Sequence, residues 1–226
     1  MFKFVQIFIF FFISTNLLAH SSHYKNLKKI EMEIYRNGKI IGYNYYFFNK
    51  KDGTMTVKNQ IQFKVSFFGT SVFSVEGYGV ETHKNNKLIS YHSKTLQNNK
   101  EKFVNLIYDS DKKKFNIKGS SYTGLADTNN IIGNWWNHKV LEANSQISPI
   151  SGSIKKQIVT FLGRKKIKLY KKIIEVDHFK LTSKDVNIPI DKRLNFDIWY
   201  DNKNAMIVKV AYSRLGNWEY RLKSFE

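Results

Sequence analysis

The stretch FDIWYDNKNAMIVKVAYSRLGNWEYRL, Phe196 to Leu222, sets large apolar side chains on alternate positions. Phe196, Ile198 and Tyr200 share one face, then Met206, Val208, Val210 and Tyr212, then Trp218, Tyr220 and Leu222. A period of two marks β-strands with one apolar face. The polar runs between them, Asp201-Asn202 and the Gly216-containing one, mark turns. Three such strands in succession form an antiparallel meander. Its apolar face is either a plain core or the lining of a cavity.

Upstream the same pattern repeats. Ile30, Met32 and Ile34 alternate with Glu31, Glu33 and Tyr35, and Asn37-Gly38 supplies a tight hairpin turn. A second strand over Ile40 to Phe48 turns at Lys51-Asp52-Gly53 into a third, where Ile61, Phe63 and Val65 face one way. Further turns are expected at Gly69, Asn85-Asn86, Asn98-Asn99, Asp109-Ser110-Asp111 and Gly163-Arg164. Short strands between close turn signals predict an all-β chain. The expected fold is a single antiparallel barrel or strongly curved half-barrel of about a dozen strands, over residues 29–226. No internal repeat or second-domain boundary is visible.

Ser120 to Ser153 departs from the pattern, with Gly124, Gly133, Gly152, Pro149 and the pair Trp135-Trp136. Asn134 to Ala143 reads as about two turns of helix with Asn134 as N-cap. A long irregular segment in a compact domain has something to cover. Two roles are open: a plug that fills the end of the barrel with indoles, and a gate over a cavity. On the gate reading, Trp136 is expected to tolerate truncation better than Tyr220, which sits in a strand that holds the sheet together, whereas a solid core would make both changes costly.

The chain begins MFKFVQIFIFFFISTNLLA: one lysine, a short apolar run and a small-residue end. That is the order of a cleaved secretory signal, and the run is too short for an uninterrupted membrane span. Residues 1–19 are therefore expected to be removed, with 20–28 a flexible lead-in and the mature chain starting at His20 or Ser22. The expected location is periplasmic or secreted. The chain has no cysteine. That excludes lipoprotein anchoring, disulfides and thiolate metal sites.

The net charge of +19 invites a nucleic-acid or membrane reading. The lysines, however, are scattered over polar strand positions such as Lys64, Lys209 and Lys223. Lys, Asn, Ile, Phe and Tyr also share A/T-rich codons. No nucleic-acid partner is expected, and attraction to an anionic membrane surface would be weak and screened by salt.

The chain carries no strong catalytic motif, so it is read as non-enzymatic, with no catalytic residue, metal or cofactor. The best polar constellation flanks Asn85-Asn86. With a two-residue turn, Glu81 falls opposite Ser90 and Gly79 opposite His92, so that Glu81, His83, Ser90 and His92 share a face. The cluster reads as half-exposed, and Lys84 and Lys87 disfavour a cation there. Asp177-His178 cannot form a dyad, because adjacent strand residues point to opposite faces. Candidate ligand-lining residues are Phe63, Trp136, Trp199, Tyr200 and Tyr220.

From Glu31 to Leu222 the chain resembles a group of exported bacterial proteins, domain-of-unknown-function family 6134. The resemblance rests on N-G-K-I-I-G (Asn37 to Gly42), E-x-H-x-x-x-x-L (Glu81 to Leu88) and S-x-T (Ser93 to Thr95). It continues with W-N (Trp136-Asn137), Gly152, W-Y-D (Trp199 to Asp201) and L-G-x-W-x-Y (Leu215 to Tyr220). Where that pattern places a tryptophan after the glutamate, this chain has His83. Similar families look like lipocalins or the half-open barrels of periplasmic lipoprotein carriers, whose interiors accept acyl chains. The resemblance thus implies an apolar or lipid-like ligand inside the barrel. The alternative is a cell-envelope interaction protein with a solid core.

Overall fold

The computed structural model describes Tyr24 and residues 26–226. The expected signal segment and the cleavage sites after it lie outside the described residues. Strands β1 (Lys29–Arg36) and β2 (Lys39–Lys51) meet at Asn37-Gly38, where both residues have positive φ. Such a turn matches the right-handed twist of the strands it joins. β3 (Thr54–Phe67), β4 (Thr70–Lys84), β5 (Lys87–Gln97), β6 (Lys100–Asp109), β7 (Lys114–Gly119) and β8 (Thr123–Asp127) continue the meander. Then come two short strands, β9 (Ile131–Ile132) and β10 (Ser145–Ile147). The chain ends with β11 (Ile154–Leu169), β12 (Lys172–Ser183), β13 (Asn195–Asp201), β14 (Met206–Ser213) and β15 (Asn217–Phe225).

Among the described residues these fifteen strands form one sheet, ordered β8-β7-β6-β5-β4-β3-β2-β1-β15-β14-β13-β12-β11-β10-β9. The β9–β10 ladder is parallel and the others are antiparallel. The two ends of this order, β8 and β9, follow one another in the chain across residues 128–130 alone. Laid flat, fifteen strands at about 4.8 Å spacing would set those edges about 65 Å apart. The connection spans at most about 14 Å. The sheet must therefore curl until its edges approach. No ladder joins β8 to β9, so it stays a curved half-barrel rather than a closed barrel.

The alternation in the opening stretch decides which face goes inside. Ile30, Met32 and Ile34 of β1, Val208 and Val210 of β14, and Trp218, Tyr220 and Leu222 of β15 are all buried in one cluster. The opposite face carries the ion pairs Lys29–Glu31, Lys223–Glu33, Lys209–Glu219 and Arg221–Glu219. These cations belong to a half-exposed outer face, where such pairs contribute little stability each. The lead-in is held at two points, since Tyr24 and Leu27 are buried in the same cluster.

Three local expectations need correction. Gly163-Arg164 is no turn: β11 runs through it, with a bulge between Phe161 and Gly163, and Gly163 takes φ 109°. A bulge uses glycine's freedom as readily as a turn does. The chain reverses later, around Tyr170, whose φ is 55°. Second, the segment 120–153 is not structureless, since it contributes β8, β9 and β10. Ile132 and Ile147 form one buried cluster with Val104, Leu106, Phe115 and Ile117 of β6 and β7. Third, the helix is a single 3₁₀ turn, His138–Leu141. Its cap is Asn137, whose side chain accepts from the Lys139 N–H at 3.1 Å. Asn134 lies too far upstream to cap a turn that begins at His138, and its Nδ2 donates to Glu81 instead.

Candidate functional site

The β4–β5 hairpin turns at Asn85-Asn86, both in the left-handed region with φ of 50° and 63°. His83 faces Leu88 as the two-residue turn requires, but a register shift follows between Thr82 and His83. Thr82 then faces Ser90, Glu81 faces Tyr91, and Val80 faces His92. One extra residue on β5 thus separates the expected cluster. Glu81 and His83 point into the half-barrel, while His92 is exposed and contacts Asn105 Oδ1 at 3.1 Å. The shared half-exposed polar face does not exist. Its place is taken by a buried pair, with Glu81 3% and His83 8% exposed.

A carboxylate that deep must be satisfied or it is costly. Glu81 Oε1 meets His83 Nε2 at 2.7 Å. Its Oε2 accepts from Asn134 Nδ2 at 3.0 Å and from the Trp136 indole N–H at 3.2 Å. The segment 120–153, which crosses the open end of the half-barrel, is thereby pinned to β4 by hydrogen bonds to a charged acceptor, the stronger kind. Next to it, the Tyr46 hydroxyl accepts from Asn44 Nδ2 at 2.8 Å and from the Trp135 N–H at 3.2 Å. Burial pushes the Tyr46 phenol well above its ordinary value, and the Glu81 charge adds to the rise. Among the described residues no three His, Cys, Asp or Glu side chains gather as a metal-binding group.

Trp135 and Trp136 enter opposite sides of the interior. The Trp135 ring packs on Phe196 at 5.1 Å and on Tyr220 at 6.3 Å. From Phe196 the ring contacts run through Tyr212 and Trp218 to Phe63 and Phe73. Trp136 instead packs edge-on against Tyr24 and Phe48, both at 5.4 Å, and against His83 at 5.8 Å. The Tyr24 hydroxyl reaches His138 Nδ1 and the Trp136 carbonyl. Burial raises the Tyr24 phenol strongly.

Glu81, His83 and Trp136 lie at the bottom of an open cleft of 1320 Å³. The turns of the β2–β3 and β4–β5 hairpins form one side of it, and residues 128–139 of the crossing segment contribute to the other. Met55, Leu88, Phe115 and Ile131 give it apolar walls, and its lysines, Lys50, Lys51, Lys84, Lys87 and Lys139, outnumber the carboxylates Asp52 and Glu81. Ligand pockets typically measure about 300–1,000 Å³, so the space is ample though not enclosed.

The residues read as ligand-lining divide accordingly. Trp136 lines the cleft, whereas Tyr200 does not: its ring packs 5.5 Å from that of His138, which is likewise outside the lining. Phe63 and Tyr220 belong to the aromatic packing around Trp135 and Trp218. Trp199 joins neither: it faces away from Ile198 and stacks on His178 at 4.7 Å, with Lys209 above its ring. His178 in turn pairs with Asp197 Oδ1 at 2.9 Å, across the β12–β13 ladder. Asp177 points the other way, to Arg164 at 2.9 Å. Adjacency in sequence concealed this second histidine–carboxylate pair, and only the β12–β13 register could have found it. Tyr24, Lys50 and Asn134 were likewise missed, because each acquires its role from a strand or segment remote in sequence.

The family model described as domain of unknown function DUF6134 matches residues 32–223, so the chain belongs to that family. None of the curated proteins matches the sequence. Among solved structures, a β-barrel-like protein of domain of unknown function DUF1849 from Brucella abortus superposes with a TM-score of 0.59. It is 10% identical, over 88% of this chain and 96% of that one. At that identity the likeness concerns the fold alone. A Bacteroides fragilis protein with a YmcC-like fold covers 88% of this chain and 94% of its own, at 10% identity. Its TM-score of 0.36 carries no argument.

Proposed function

We propose that this DUF6134 chain is a non-catalytic periplasmic protein that holds an apolar or lipid-like molecule in the cleft of its half-barrel. The observation that carries the reading is the cleft, where apolar walls stand open at one end of a sheet whose other interior is filled with rings. A non-catalytic role is supported by Glu81: its oxygens already take His83, Asn134 and Trp136, which leaves it poorly placed as a general base. Export is supported by the leader-like run after Lys3, and the missing cysteine argues against lipid anchoring. The basic surface adds a weak, salt-screened attraction to anionic membranes.

A solid-core interaction module of the cell envelope is the rival reading, favoured by the unbroken ring contacts from Trp135 to Phe73. Uptake of the neutral fluorescent probe N-phenyl-1-naphthylamine separates the two. The native protein is expected to enhance its emission, and Leu88→Asp, on the cleft wall, to abolish the enhancement without unfolding the sheet. No enhancement by the native protein would leave the solid-core module as the better account.

A further inference from the structure

We propose that the molecule held in the cleft is an anionic amphiphile, its chain against the apolar wall and its charged head at Lys50. The inference rests on the binding reading above and adds the chemical class of the ligand. It begins with the register. Lys50 faces Met55, Met55 faces His83, and His83 faces Leu88, so four strands present one row across the sheet. All four side chains line the cleft. Lys50 follows Tyr46 and Phe48 at alternate positions of β2, both buried in the interior cluster, so it shares their face.

The Lys50 ammonium nitrogen is enclosed and has no hydrogen-bond partner. It also borders a second hollow of 410 Å³, beside Leu27 and Phe48. An enclosed ammonium without a partner is a costly arrangement. Burial accordingly holds Lys50 below the ordinary lysine range. Of the two carboxylates lining the cleft, Asp52 makes no hydrogen bond to Lys50, and Glu81, two residues before His83 on β4, is already occupied by its own partners. A carboxylate or phosphate brought by the ligand would supply the missing partner and favour the charged lysine. Lys84 and Lys87, across the turn from one another, add positive potential at the same mouth. The apolar walls described above remain for the chain.

The test displaces bound N-phenyl-1-naphthylamine from the full mature protein with three ligands of equal chain length: laurate, dodecyl phosphate and 1-dodecanol. A charge-assisted contact should let at least one anion compete about tenfold or more better than the alcohol. Which anion does so separates a carboxylate head from a phosphate head. Lys50→Met should erase that preference, so that the anions compete no better than 1-dodecanol in the same variant, and Lys50→Arg should retain it. Equal competition by all three ligands, or a preference that survives Lys50→Met, overturns the inference and leaves the binding reading standing. A native protein that takes up no probe overturns both.

Discussion

Trp135 and Trp136 are neighbours in the chain and meet opposite fates. One side of the interior receives Trp135 and is filled: Phe196, Tyr212, Trp218 and Phe63 pass ring contacts from hand to hand. The other receives Trp136 and stays open, with Glu81, His83 and Tyr24 beside a cleft of apolar walls and lysines. The contrast shows how the crossing segment works. It is anchored like core and yet has a free edge on the cleft, so plug and wall are the same element. Two histidine–carboxylate pairs repeat the contrast. Glu81–His83 is buried and ties the segment down, whereas His178–Asp197 links β12 to β13, with His178 covered by Trp199 and Asp197 half-exposed.

The sharpest way to break this comparison is to truncate both sides. Trp136, read from the sequence as the more expendable of the two, is instead 2% exposed and donates to Glu81. Trp136→Ala should therefore lose about 3–5 kcal/mol to the cavity, and about 1–3 kcal/mol more for the donor removed from a buried carboxylate. Tyr220→Ala should show the cavity cost alone, about 3–5 kcal/mol. Urea unfolding of the two variants measures the difference. If Trp136→Ala were the milder change, the segment would be a cover rather than part of the core.

A smaller effect is expected at Glu81 itself. Glu81→Gln keeps the shape but removes the charged acceptor, and its N–H₂ must either face the donors Asn134 and Trp136 or force His83 to accept at Nε2. The expected loss is about 1–3 kcal/mol. The fluorescence of Trp136 should become more solvent-exposed in the folded state. Unchanged stability and emission would mean that the pin is unimportant.

The smallest effect belongs to the outer pair. Burial opposes ionisation of Asp197, but hydrogen bonds from Lys180 and His178 win and hold its carboxyl below the usual range. A carboxylate with a lowered folded pKa contributes stability above its unfolded value near 3.9 and loses it as pH falls through the folded value. Asp197→Asn should therefore flatten the acid side of the melting profile below about pH 4 and cost under about 1 kcal/mol at neutral pH. A profile identical to the native one would remove this pair from the account of acid stability.

The closing stretch Phe196 to Leu222 determined the fold class by itself. Alternation and turn residues are local properties, and they specify strands, hairpins and the face that goes inside. Asn37-Gly38 and Asn85-Asn86 were legible for the same reason: each turn is written in its own two residues. The site was legible only in fragments. Glu81 and His83 stood out as chemistry-bearing residues on the right hairpin, but their burial did not. The shift between Thr82 and His83 sent His92 outward, and that bulge leaves no distinctive mark in sequence. Gly163 shows the same ambiguity from the other side, since a bulge and a turn ask for the same residue. Where Asn134 and Trp136 would bind, which side Trp199 would face, and that Lys50 would lie enclosed without a partner were decided by tertiary structure alone. Each depends on a strand or segment far away in the chain, brought close only when the long sheet curls.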